Sequence, residues 1–103
     1  MDENLDLNFS LDFELPTIVL QETTVGWLGE ERVGCGNVYA GVYKLPVGEE
    51  AKGWVCELVL ASSGLRWTVG KSSEFAIGEL RYQVVTVTPK SEGKRGQVEL
   101  VRV

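Results

Sequence analysis

Between residues 5 and 15 the chain reads Leu-Asp-Leu-Asn-Phe-Ser-Leu-Asp-Phe-Glu-Leu, with every odd position apolar and every even position polar. Successive side chains of a strand point to opposite faces, whereas a helix turns each by about 100°. As a strand the segment gathers Leu5, Leu7, Phe9, Leu11, Phe13 and Leu15 on one side; as a helix it would scatter them around the whole circumference. Strand is therefore the expected state. A face carrying four leucines and two phenylalanines must also be covered by something.

Period two recurs downstream. Pro16 cannot donate to a ladder and ends or bends the first run, after which residues 17–20 resume as a strand. A third run covers residues 23–28 and meets a polar turn at Gly29-Glu30-Glu31. Residues 32–37 hold two glycines and read as a loop or bulge, with Cys35 in the loop, ahead of a strand over 38–45. There Val38, Ala40 and Val42 face one way and Tyr39, Gly41 and Tyr43 the other. Residues 46–53 read as a connecting loop. The following strand, 54–61, aligns Trp54, Cys56, Leu58 and Leu60, and Ser62-Ser63-Gly64 reverses it into 65–69, where Leu65, Trp67 and Val69 face the core. A second hairpin turns at Gly78-Glu79, where glycine in the first turn position suits a type II′ connection. The long strand after it, 80–88, changes apolar phase between Val84 and Val85, which predicts a β-bulge. Residues 89–96 form an exposed turn, and residues 97–103 supply a last strand.

No window of a dozen residues keeps helical spacing without an interrupting Gly or Pro. Seven to nine short strands, with turn signals about every ten residues, predict an all-β fold: a single small antiparallel sandwich or a partly open barrel. At 103 residues the chain supports one core. The natural division is an acidic alternating N-terminal strand or arm over 1–16 and a β-domain over 17–103.

Composition narrows the function. No run approaches the roughly 20 apolar residues of a membrane span, and Met1-Asp2-Glu3-Asn4 is acidic where a secretory leader is basic. A cytoplasmic protein without membrane association is expected. The net charge of -5 and pI near 4.7 argue against nucleic acid as a partner. The charge is uneven: residues 1–50 carry ten acids and two bases, residues 51–103 five acids and eight bases. An acidic N-terminal segment lying on a basic face, within one chain or between chains, is electrostatically reasonable.

Candidate chemistry is sparse. The chain has no histidine, so the commonest general base and a common metal ligand are missing. Cys35 has mixed charges nearby and no imidazole to activate it. Glu30-Glu31 and Glu49-Glu50 are adjacent residues in turns, which point apart. No Cys-x-x-Cys, phosphate loop or calcium loop occurs, so neither cofactor nor metal is expected. Cys35 and Cys56 are expected as thiols in a reducing compartment, their pairing being possible but unforced. Trp54 and Trp67 run in phase with aliphatic neighbours and are expected in the core, leaving Trp27 as the exposed ring. The basic turn from Lys90 to Arg95 reads as solvated charge.

A non-enzymatic protein-binding module is the expected function, such as an inhibitor, an immunity or adaptor protein, or an assembly subunit. It would act through sheet edges and an asymmetric charged surface, with Leu5, Leu7, Phe9, Leu11, Phe13, Leu15 and Trp27 as partner-binding residues. The N-terminal run either forms the first strand of its own sheet or pairs with another protein, including a second copy in a homo-oligomer. The alternative is a small-ligand or glycan-binding β-domain using exposed aromatic residues.

Overall fold

The computed structural model describes residues 17–103, so the run 5–15 lies outside the described residues. Within them the chain forms eight strands: β1 (Ile18–Gln21), β2 (Thr24–Leu28), β3 (Glu31–Lys44), β4 (Glu50–Leu60), β5 (Arg66–Val69), β6 (Glu74–Ile77), β7 (Leu80–Thr88) and β8 (Gln97–Arg102). They make two four-stranded antiparallel sheets, ordered β1-β8-β7-β6 and β2-β3-β4-β5. The chain passes between sheets at Glu22-Thr23 and again over residues 70–73. Of the two expected architectures, the sandwich is the one formed.

Alternation decides what each sheet buries. Residues opposite one another in an antiparallel pair share a face. The rows Ile18–Leu100–Val84 and Leu20–Val98–Val87 line one inner surface. The row Cys35–Leu58–Trp67 and the pair Val33–Leu60 line the other. Leu58, Val33, Val98 and Leu100 are wholly buried. Each such side chain contributes about 1.5–3 kcal/mol by leaving water. At one side of the sandwich the sheets meet through aromatic rings. Trp67 lies 5.0 Å from Phe75, which stacks on Tyr82 at 5.5 Å. At the other side Leu20 fills the space left by Gly26, where a Cβ would collide with it.

Both register breaks fall where the sequence pattern changes. In β7 the break lies between Val84 and Thr86, so Val85 turns outward and Val87 returns to the core. In β3 it lies between Cys35 and Val38, with Gly36 and Asn37 opposing Glu57. Residues 32–37 are therefore a bulged stretch of one fourteen-residue strand rather than a loop, and Cys35 is a buried strand residue. The ladder to β4 holds on both sides of the extra residue, which is why the glycines do not end the strand. The expected 46–53 loop shrinks for a similar reason: Ala51 pairs with Tyr43 and Gly53 with Gly41. The turn at Gly78, with φ 62°, joins Ile77 to Leu80 as expected. Leu65 is a correction; it precedes β5 within the turn and is exposed instead of facing the core.

Gly70, just after β5, lies against the face of the Tyr43 ring, and the Tyr43 hydroxyl donates to the Lys71 carbonyl at 3.0 Å. A Cβ at position 70 would overlap the ring. Gly70→Ala is expected to destabilise the fold by about 1–3 kcal/mol through overpacking. Urea unfolding measures this, and an unchanged midpoint would show that Tyr43 is not locked by this contact.

Candidate functional site

The least expected group in the structure is Glu22, a carboxylate in the two-residue corner between β1 and β2, only 6% exposed. Its Oε1 accepts the Gly96 N–H at 2.8 Å and its Oε2 the Val38 N–H at 3.1 Å. Its own N–H donates to the Gly96 carbonyl at 2.9 Å. Beside it Thr23, at φ 61°, donates its N–H to the Cys35 carbonyl at 2.7 Å. A β-branched residue in the left-handed region is strained, and this hydrogen bond helps to hold it there. The hydrogen bonds from Gly96 and then Val38, with smaller help from Lys90 and Arg95, hold the Glu22 carboxyl below the usual carboxylate range against the opposing effect of burial.

The Val38 amide is the first paired position beyond the β3 bulge, so Glu22 fastens the bulge to the sandwich. The bulge also brings the two thiols together. Cys35 Sγ and Cys56 Sγ lie 3.2 Å apart, both buried, and Cys56 Sγ lies 3.4 Å from the Gly36 carbonyl oxygen. The shared hydrogen bond, followed by burial, pushes the Cys35 thiol up, while the same hydrogen bond lowers Cys56.

Beyond the bulge, β3 and β4 leave the sandwich as a two-stranded arm. β2 pairs only with Glu31 to Cys35 of β3, and β5 only with Cys56 to Val59 of β4. Among the described residues, 38–44 and 50–55 therefore pair only with each other. One face of the arm continues the core surface: Val38 opposes Cys56, Ala40 opposes Trp54, and Val42 opposes Lys52. Gly96 lies against Val38, but the next rows are uncovered, leaving Trp54 45% and Val42 50% exposed. Ala40, Gly41, Val42, Lys52, Gly53 and Trp54 line an open groove of about 330 Å³. This corrects the core assignment of Trp54. Its phase with Cys56 and Leu58 is as expected, but the covering sheet ends before reaching it. Trp67, by contrast, packs on the core as expected.

Trp27 is exposed as expected, at 61%, on the outer face of β2 with the Arg32 guanidinium 6.0 Å from its ring centre. Leu5, Leu7, Phe9, Leu11, Phe13 and Leu15 lie outside the described residues. Trp27 and Trp54 occupy different faces, and Tyr39 lies on the opposite face of the arm from Trp54. A larger groove, about 570 Å³, runs under the 89–96 turn and is lined by hydroxyls, amides, Lys94 and Arg95. Among the described residues no three His, Cys, Asp or Glu side chains converge, and no helix is long and apolar enough to cross a membrane.

Comparison with protein-family models, with curated proteins and with solved structures finds no match for this chain. The site therefore rests on its own geometry. Sequence reasoning missed Glu22 because its partners are 16 and 74 residues away. It missed the arm because alternation tells which side a residue faces and not where the opposing sheet stops.

Glu22 yields a pH test. A carboxyl whose value is lower in the folded than in the unfolded chain stabilises the fold above the unfolded value, and that contribution disappears as pH falls through the folded value. Wild type is expected to exceed Glu22→Gln by several degrees in thermal midpoint at neutral pH. The gap should close progressively below the ordinary carboxylate range, about pH 4. A gap that stays constant down to acid pH would show that the Glu22 charge is not what the fold uses.

Proposed function

We propose that this chain is a non-enzymatic protein-binding module that takes an extended segment of another chain along the β3–β4 arm. The carrying observation is the arm itself, a two-stranded ribbon with both edges unpaired among the described residues and with Ala40, Val42 and Trp54 uncovered on one face. Tyr43 ties one face of the ribbon to Gly70 and Lys71, but the Ala40, Val42 and Trp54 face has no such cover, and unpaired edges beside apolar side chains recruit further strands. Strand addition supplies backbone hydrogen bonds, and alternate side chains seated on the exposed face supply specificity.

Residues 5–15 have the matching pattern, with alternate Leu and Phe positions and an opposite face bearing Asp6, Asp12 and Glu14. Lys44 and Lys52 on the arm offer these acids opposite charge. We propose the N-terminal run of a second copy as the first such segment, making a homo-oligomer by strand exchange. A glycan-binding reading needs rings arranged around one cleft; Trp27 and Trp54 on separate faces favour the protein reading.

Light scattering coupled to size exclusion tests the proposal on the full chain. Wild type is expected to self-associate at micromolar concentration. Trp54→Ser on the arm and Phe9→Glu with Leu11→Glu on the run should each weaken assembly at least about tenfold, the equivalent of losing roughly 1.4 kcal/mol, while the far-ultraviolet dichroism is retained. A wild-type chain that stays monomeric, or an assembly indifferent to both changes, would overturn it.

A further inference from the structure

We infer that Cys35 and Cys56 close into a cross-strand disulfide under two-electron oxidation, stapling β3 to β4 at the bulge. The two sulfurs are 3.2 Å apart, nearer than ordinary sulfur contact, and a bond needs about 2.0 Å. Small side-chain rotations of both residues cover the difference. The proximity has a definite origin. Cys35 opposes Leu58 and Cys56 opposes Val38, so the cysteines occupy diagonal positions on the core face, separated by the bulged pair Gly36-Asn37 and by Glu57. Glu22 holds that geometry from one side through Val38, and the Thr23 amide holds Cys35 through its carbonyl.

Burial makes the pair selective. Cys35 is 3% and Cys56 0% exposed, so in the folded chain each thiol has the other as its nearest sulfur and neither is offered to a second molecule. Because no third ligand group converges among the described residues, bond formation suits the pair better than a multi-ligand metal site. The oxidant is a low-molecular-weight disulfide such as oxidised glutathione, acting while the chain folds and the sulfurs are accessible. The Cys56 thiolate attacks one glutathione sulfur and releases one glutathione thiol. Cys35, giving up its proton, then attacks the Cys56 sulfur of the mixed disulfide and releases the second. Two protein thiols lose two electrons, one glutathione disulfide gains them, and the two protons end on the two glutathione thiols. The closed loop contains the whole arm, from Gly36 to Val55, so oxidation fixes the base of the ribbon.

Refolding the full chain from denaturant in a glutathione redox buffer, with a parallel refolding in dithiothreitol, tests this. After alkylation in denaturant, the oxidised chain is expected to take up no alkyl group, to weigh about 2 Da less than the reduced chain before alkylation, and to give one Cys35–Cys56 linked peptide. Dithiothreitol should restore both alkylation sites. The oxidised protein should also melt several degrees above the reduced one. Cys35→Ser and Cys56→Ser should each show neither effect. If either variant fails to fold, the oxidised and reduced wild type still decide the matter. Alkylation of both cysteines after oxidative refolding, separate glutathione adducts on each, or a linked chain that melts at or below the reduced one would overturn the inference.

Discussion

A backbone amide that is buried without a partner is costly. In this fold the Val38 N–H is satisfied by Glu22, a carboxylate drawn from the corner between the two sheets. The same carboxylate takes the Gly96 N–H at the start of the last strand, while the Glu22 amide binds the Gly96 carbonyl. One side chain thus joins the corner of the sandwich, the bulge of its longest strand and the closing end of the β7–β8 turn. A buried carboxylate is tolerated there because it accepts two N–H groups and because Lys90 and Arg95 lie nearby.

The distinctive features of the molecule follow from that junction. The bulge shifts β3 by one residue against β4, which places Cys35 and Cys56 on the same diagonal. It also resets the phase so that Val38, Ala40 and Val42 continue the core face past the end of the opposing sheet. Had the opposing sheet been longer, Trp54 would have been an ordinary core residue. Because it is not, the β3–β4 ribbon emerges with an apolar side and, among the described residues, two unpaired edges. The outer face of β2, with Val25 and Trp27 exposed and the Arg32 guanidinium beside the Trp27 ring, is a separate surface.

Much of this architecture was legible in the sequence because it depends on local pattern. The Val84 to Val85 phase change marks the β7 bulge, Gly78 marks the two-residue turn, and Trp67 falls among the core aliphatics. The features that escaped are those set by distant residues. Glycines at 34 and 36 left loop or bulge open, and the ladder with β4 on both sides, which makes it a bulge, is set by residues far along the chain. Nothing in Gln21-Glu22-Thr23-Thr24 announces that Gly96 will lie against it. Trp54 was assigned its side correctly and its burial wrongly, since burial depends on the length of the sheet opposite.

The most direct test of Glu22 as the junction is residue-resolved hydrogen exchange of wild type against Glu22→Ala under native conditions. Loss of the carboxylate should sharply reduce protection of the Val38 and Gly96 amides and, through the freed bulge, of the arm from Tyr39 to Val55. The β6–β7 hairpin, held by Phe75 and Tyr82, should keep its protection. Val38 and Gly96 amides that exchange as slowly in the variant as in wild type would contradict the central role given to Glu22.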